Sequence, residues 1–220
     1  METLWTRGYA GLGQLLNQRE CEEIRALYSR EELFRSRIDM ARFRFGRGEY
    51  QYFKYPLPER VEELRQELYT KLVSTAVEWM NLLGSPQQYP PELDAFLQQC
   101  HDAGQTKPTP LLLKYGTGDF NCLHQDLYGE VFFPFQVVFG LSKPDDEFTG
   151  GELLLVEQQP RAQSIGQVIR LQQGDAVVIT TRYRPVKGTR GYYRTNFRHG
   201  VSPLHSGERY TLGIIFHDAT

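Results

Sequence analysis

The segment NCLHQDLYGE places His124 and Asp126 two residues apart. In an extended strand that spacing sends both side chains out of one face, so an imidazole and a carboxylate are offered together to a divalent cation. A third donor must come from another segment, and the histidines that remain are His101, His199, His205 and His217. His199 is set apart by its continuation, HGVSPLHSGERYTLGIIFHD. Arg209 lies ten residues downstream, past a Ser-Gly turn, and opens a strand whose next same-face residue is Thr211. A strand doubling back beside His199 would aim a guanidinium and a hydroxyl into the same cavity. That pair suits the far carboxylate of a small diacid, which a planar guanidinium grips through two parallel hydrogen bonds. His205 and His217 have no arginine at a comparable distance and read as a surface-turn residue and a strand-end residue. Two imidazoles and one carboxylate on one face leave three coordination positions of a ferrous ion open. Open positions accept a bidentate 2-oxo acid and then O2. Zinc sites use similar donors, but a diacid-binding arginine downstream favours 2-oxoglutarate.

Such side chains need elements that hold them. From Thr109 onward the chain breaks into short β-rich runs separated by turn residues: LLLKYG, NCLHQD, FPFQVVFGLS, GELLLVE, QVIRL, DAVVIT, YYRTNFRHG and RYTLGIIFH. Eight short strands at this spacing predict a barrel or jelly roll rather than βαβ units. Residues 1–105 read mostly as helix. Asn17 is a suitable N-cap before RECEEIRALYS, where Cys21, Ile24, Leu27 and Tyr28 share a face. Beyond Pro58, Val61, Leu64, Leu68, Leu72 and Ala76 recur at helical spacing toward Leu83. A third helix is predicted after Pro90-Pro91, with Leu93, Phe96 and Leu97 inward and an end near Gly104. Between the first two helices, Arg42, Arg44 and Arg47 alternate with Phe43, Phe45 and Tyr50 around Gly46 and Gly48, the pattern of a two-stranded ribbon over 35–55. No repeat, low-complexity run or linker divides the chain. The expectation is a single domain over 1–220, with a mostly helical part (1–105) packed on one sheet of a β core (106–220).

The formal charge of −2 is uneven: residues 35–55 carry +4, residues 182–198 carry +6 with no acid, and the remainder carries −12. Sign asymmetry of this kind marks an anionic partner. No run of about 18 apolar residues is present, so no membrane span is expected. The first twenty residues lack the tripartite pattern of a signal peptide, and Cys21, Cys100 and Cys122 are an odd, sparse set without metal-type spacing. Both features predict a cytoplasmic protein with reduced thiols. The placement of Cys122, two before His124, reads as a small buried hydrophobe.

The layout of His-x-Asp, a His 73 residues after the Asp, an Arg ten further and a hydroxyl residue two later resembles the Fe(II)/2-oxoglutarate-dependent dioxygenase superfamily. EFTGGELLLVE followed by QGDAVVIT is similar to the middle strands of its prolyl-hydroxylase-like members. YGTGDFNCLHQD is similar to AlkB-type nucleic-acid demethylases, with Tyr115 nine residues and Gly118 six residues before His124. Leu113 and RYTLGII depart from the AlkB pattern. Over its length, through ARFRFGRGEYQYF, PTPLLLKYG, GYYRTNFRHGVS and GERYTLGIIFHDA, the chain resembles an uncharacterised bacterial 2-oxoglutarate/Fe(II) oxygenase family predicted to demethylate damaged nucleic acid.

The resemblance implies an α+β fold built on a double-stranded β-helix (jelly roll), with the N-terminal helices packed on one sheet. It implies Fe(II), 2-oxoglutarate and O2 as cofactor and co-substrates. His124, Asp126 and His199 would hold the metal, and Arg209, Thr211 and Tyr115 would hold 2-oxoglutarate. The expected reaction is oxidative demethylation of an alkylated base in a DNA-repair role, with no membrane and no obligate protein partner. An enzyme acting on a base needs a single strand or a flipped nucleotide. Guanidiniums pair with phosphates and aromatic faces stack on unpaired bases, which nominates Arg42, Arg44, Arg47, Tyr50 and Tyr52 in the first basic segment. In the second, the candidates are Arg184, Lys187, Arg190 and Tyr193. The alternatives are a peptide (prolyl-type) or small-molecule hydroxylase of the same superfamily and, more remotely, a non-catalytic metal-binding β-barrel module.

Overall fold

Apolar spacing and capping chemistry account for the helices. The computed structural model describes residues 2–220. In chain order the elements are α1 (Glu2–Arg7), β1 (Tyr9–Gln14), α2 (Gln18–Ala26), β2 (Phe34–Asp39), α3 (Met40–Phe43), β3 (Gly46–Arg47), β4 (Glu49–Phe53), α4 (Glu59–Leu82) and α5 (Leu93–Asp102). Eleven strands follow: β5 (Leu111–Tyr115), β6 (Phe120–His124), β7 (Phe135–Gly140), β8 (Phe148–Gly150), β9 (Leu153–Gln158), β10 (Ile165–Ile169), β11 (Asp175–Thr180), β12 (Tyr183–Gly188), β13 (Gly191–Val201), β14 (Leu204–Gly207) and β15 (Arg209–Ile215). Asn17 caps α2 through a reciprocal box: its Oδ1 accepts from the Glu20 amide at 3.0 Å, and Glu20 accepts from the Asn17 amide at 2.8 Å. α4 buries Val61, Leu64, Leu68, Leu72 and Ala76, as the spacing predicts, together with Trp79.

The strands form a seven-stranded antiparallel sheet in the order β1-β11-β7-β15-β5-β4-β2. A smaller sheet runs β10-β9-β13-β6-β3, with β12 added on β13. The larger sheet is covered on both faces, so β15 is buried at every residue and its alternation is hidden within a continuous apolar run. Tyr210, Leu212 and Ile214 face α4 and α5 together with Phe135, Val137 and Phe139 of β7. On the other face, Val177 and Ile179 meet Leu153, Leu155 and Phe197 of the smaller sheet. This is the jelly roll with N-terminal helices on one sheet. A buried pair, Arg65 Nη2 to Asp218 Oδ1 at 2.8 Å, seats α4 on the chain end beyond β15. The same nitrogen donates to the Phe216 carbonyl at 2.9 Å.

Helices occupy most of residues 1–105, and β1, β2 and β4 add strands to the larger sheet. β1 is held through its pairing with β11, across a register shift between Gly11 and Gly13, so its signal is tertiary and its glycine-rich sequence conceals it. The ribbon exists as β2 paired with β4, but the Arg/Phe alternation is not strand periodicity. Asp39 accepts from the Ala41 amide at 3.0 Å and starts the single turn of α3, which ends at Arg44 with φ 60°. Gly46 then pairs with Asn121 in the other sheet at φ 138°, where a Cβ would lie 2.2 Å from the Phe120 carbonyl oxygen. Only glycine lets the tip lie this close to β6.

Candidate metal centre and co-substrate pocket

β6 ends at His124, and Asp126 lies just past it rather than within the strand. The convergence comes instead from pairing, since His199 on β13 is directly opposite His124 and the ring centroids are 4.3 Å apart. One donor atom from each of His124, Asp126 and His199 falls within 4.8 Å of the others. Asp126 Oδ2 is 3.1 Å from His199 Nε2, and Oδ1 is 3.5 Å from His124 Nε2. His124 Nδ1 is 2.8 Å from the Cys122 carbonyl, which fixes the proton on Nδ1 and frees Nε2 as a donor to a metal. The Gln136 amide lies 3.5 Å from His199 Nδ1. Two neutral imidazoles and a carboxylate, each turned by a further contact, fit a borderline divalent metal such as ferrous iron.

Electrostatics follow from this packing. Burial alone would raise Asp126, but the two imidazoles outweigh it and hold the carboxyl well below its usual range. Burial would likewise lower His124, but Asp126 outweighs it and raises the imidazole. Deeper burial beside His124 leaves His199 lowered.

A cavity of about 340 Å³ opens above these residues. Arg209 reaches it from the opposite sheet. The expected return of this strand beside His199 is corrected: β14 pairs with β8, and β15 then inserts between β7 and β5. Arg209 is only 4% exposed and Thr211 only 2%, and both line the cavity with Tyr115. Arg209 Nη1 is buried without a hydrogen-bond partner. Tyr115 pairs with Arg209 in register, and the guanidinium carbon stands 5.6 Å from the Tyr115 ring centroid and 6.0 Å from that of Phe148. Burial lowers the Arg209 pKa and pushes the Tyr115 phenol up to about 12. An orphaned cationic donor aimed into a cavity fits an anionic ligand.

Arg44, Tyr50 and Tyr52 also line the cavity, with Phe45, Asn121 and Leu113. Arg42 and Arg47 lie outside on the exposed tip. Cys122 is exposed and lines the cavity, which corrects its reading as a buried hydrophobe. Arg184 is also corrected as a phosphate-binding candidate. It is 7% exposed, its Nη2 is 2.5 Å from Glu157, and its Nη1 donates to the Trp5 carbonyl at 2.9 Å. Lys187, Arg190 and Tyr193 sit at the far end of the β12–β13 hairpin, roughly 20–30 Å along the strand from His199, and none lines the cavity. His217, expected at a strand end, lies just past β15 and is fully buried, with Nδ1 accepting from the Phe133 amide at 3.2 Å. His205 is exposed. His101 pairs with Asp218 at 3.0 Å.

Sequence reasoning missed Tyr128. Its hydroxyl donates to Asp126 Oδ1 at 2.6 Å and accepts from Tyr52 at 2.8 Å. Burial and the neighbouring carboxylate hold the Tyr128 phenol well above its usual pKa. The only sequence signal was its place two residues after Asp126.

A two-sheet jelly roll with a His-Asp-His cluster at one end and a buried guanidinium facing it has the fold of the Fe(II)/2-oxoglutarate oxygenases. A Pseudomonas putida prolyl-4-hydroxylase superposes with a TM-score of 0.55 at 16% identity, over 100% of this chain and 96% of that one. A 2OG-Fe(II) oxygenase-family oxidoreductase from Burkholderia pseudomallei gives 0.53 at 16% identity, over 100% and 90%. A viral collagen prolyl hydroxylase from Paramecium Bursaria Chlorella virus-1, solved as its 2OG complex, gives 0.54 at 16% identity, over 95% of each. Residues 48–219 match the oxygenase family described as catalysing oxidative methylation of damaged DNA, and the chain belongs to that family. An uncharacterized protein of Mycobacterium tuberculosis, Rv2227, is 54% identical over 167 residues, 76% of this chain and 72% of the relative. No helix among the described residues is long and apolar enough to cross a membrane.

Proposed function

We propose that this oxygenase uses Fe(II), 2-oxoglutarate and O2 to demethylate alkylated bases in single-stranded or flipped-out nucleic acid. The observation that carries the reading is Arg209: a buried guanidinium with an unpartnered Nη1, across a cavity from three metal donors within 4.8 Å. A buried cation without a counter-charge is costly unless a ligand completes it, and a keto-diacid bridges an anion site and a metal site. His124, Asp126 and His199 would hold the iron. Arg209, with Thr211 and Tyr115, would hold the distal carboxylate. When bound, the iron and 2-oxoglutarate supply the oxidation of a substrate C–H by O2, with loss of CO2 and formation of succinate. An N-methyl group becomes N-hydroxymethyl, which releases formaldehyde and the free base. The chain itself orients and encloses: Leu111, Leu113, Val138 and Leu153 line the cavity with apolar surface and keep water from the reacting groups.

The family description supports a nucleic-acid substrate, and so does the rim. Phe43 and Phe45 are stacked, with centroids 5.6 Å apart at 21°, and each is 48% exposed. Among the described residues, none of Arg42, Arg44 and Arg47 has a carboxylate within 4.0 Å. Free guanidiniums around exposed aromatic faces suit a strand whose bases are unpaired. Lys187, Arg190 and Tyr193 belong to this reading only as distant backbone contacts.

The test measures succinate and formaldehyde with Fe(II), 2-oxoglutarate and N-methylated single-stranded oligonucleotides, against a proline-containing peptide. Equal succinate and formaldehyde with the oligonucleotide is the expected result. Turnover stimulated by the peptide alone would replace the substrate with a prolyl-type one.

A further inference from the structure

Each imidazole of the cluster stands on a strand, but Asp126 does not. It lies in the irregular segment after β6, so backbone pairing does not aim its carboxylate. The aiming contact is the Tyr128 hydroxyl, 2.6 Å from Oδ1. Tyr128 sits in the same segment, two residues on, and is itself held at two points: its carbonyl accepts from the Thr220 amide at 3.1 Å, and its hydroxyl accepts from Tyr52 at 2.8 Å. Tyr52 belongs to β4, is paired in register with Leu111 of β5, and carries the Arg35 guanidinium 4.4 Å over its ring. The directions are forced, because an ionised carboxylate only accepts. Tyr128 must spend its one proton on Asp126 and can only accept from Tyr52.

We propose that Tyr128 and Tyr52 are positioning residues acting in series on the metal ligand Asp126. Together they engage Oδ1 and leave Oδ2 as the oxygen presented to the metal. This inference rests on the metal-site reading above and adds a residue pair to it. A carboxylate with one oxygen held by a phenol binds a metal through the other, so positions needed by a bidentate co-substrate stay open. Release of Oδ1 lets the carboxylate rotate or chelate through both oxygens. The arrangement also ties the site to the larger sheet: β4 runs on from the tip that carries Phe43 and Phe45, so the strand that borders the substrate rim also steadies the iron ligand.

The experiment compares wild type, Tyr128→Phe, Tyr52→Phe and the double variant, each purified metal-free. Fe(II) affinity is titrated anaerobically, Co(II) visible spectra report coordination, and thermal midpoints without metal report folding. Tyr128→Phe is expected to weaken Fe(II) binding roughly 10–100-fold, the usual loss when a ligand's hydrogen-bond partner is removed, and to alter the Co(II) bands. Tyr52→Phe produces a smaller loss in the same direction. In a serial chain the double variant binds Fe(II) as Tyr128→Phe does, so removing Tyr52 costs nothing once Tyr128 is gone. Additive losses in the double variant overturn the series. Unchanged Fe(II) affinity and Co(II) bands in Tyr128→Phe overturn the positioning role, and a fall in thermal midpoint alone then assigns the phenols to packing. Wild type that binds neither metal overturns the metal site itself, a different failure from a wild type that binds tightly beside a neutral Tyr128→Phe.

Discussion

Replacing Arg209 with methionine should stabilise the ligand-free protein while removing its response to 2-oxoglutarate, two effects of opposite sign from one side chain. Arg209 is 4% exposed and its Nη1 has no partner. Its neighbours are ring faces at 5.6 and 6.0 Å, and Glu152 acts on it only as a distant charge. A buried ion lacking close compensation carries a desolvation cost of several kcal/mol, and methionine of similar length removes it while retaining packing. With 2-oxoglutarate bound, the same guanidinium makes a bidentate, charge-assisted pair of about 1.5–3 kcal/mol per bond. Losing about 3–6 kcal/mol weakens binding roughly 10²–10⁴-fold. The assay is anaerobic thermal unfolding with Fe(II), with and without 2-oxoglutarate at about one hundred times the wild-type Kd. Wild type gains about 2.7 kcal/mol there, roughly 5–11 °C for a chain of this size. Arg209→Met should start at an equal or higher midpoint and gain nothing. A lower ligand-free midpoint together with an undiminished 2-oxoglutarate shift would show that Arg209 is a packing residue and that the diacid sits elsewhere.

The remaining predictions follow from the same geometry. Asp126→Ala should abolish tight Fe(II) binding and turnover, read by anaerobic titration and succinate formation, because two imidazoles facing each other at 4.3 Å then lose the carboxylate that sits beside both. Phe43→Ala with Phe45→Ala should raise the oligonucleotide KM roughly tenfold or more at about 1–3 kcal/mol per lost stack. Uncoupled 2-oxoglutarate turnover should stay unchanged, and an unaltered KM would remove the rim from recognition. His217 titrates in the folded protein at about 4, pushed down from 6.5 by burial. A depressed histidine contributes stability that is complete above pH 6.5 and lost as pH falls toward 4, about 3 kcal/mol in full. Urea unfolding of wild type and His217→Asn between pH 7.5 and 4 should therefore converge as pH falls, and parallel curves would refute the burial argument.

Geometry was legible where it has a local signature. His124 and Asp126 are neighbours in the chain, Arg209 and Thr211 sit at strand period, and the apolar face of α4 repeats over about five turns. It was not legible where position depends on a partner far along the chain. β1 is a glycine-rich edge strand that exists because β11 offers it a ladder. Arg184 reads as a phosphate ligand among five other basic residues, yet its guanidinium is spent on Glu157 and the Trp5 carbonyl. Tyr52 was nominated for its ring alone, and its hydroxyl contact with Tyr128 depends on a segment 76 residues away. The Arg/Phe alternation at 42–47 mimics a strand only because a helical turn and a left-handed residue place successive side chains on different sides.

The division of labour between the sheets explains why these side chains need a closed sandwich. His124 and His199 stand on β6 and β13 of the smaller sheet, while Arg209, Thr211 and Tyr115 stand on β15 and β5 of the larger one. Neither sheet alone presents both the His-Asp-His cluster and the buried guanidinium. The inter-sheet core of Leu153, Leu155, Val177, Ile179 and Phe197 therefore sets the distance between the proposed iron donors and the proposed carboxylate anchor. A side chain removed there should change the spacing between Arg209 and His199, read as a weaker 2-oxoglutarate response in anaerobic thermal unfolding. Phe197 is the sharpest case, since it lies two residues from His199 on the same face of β13. Phe197→Ala should cost about 3–5 kcal/mol of stability, read by urea unfolding.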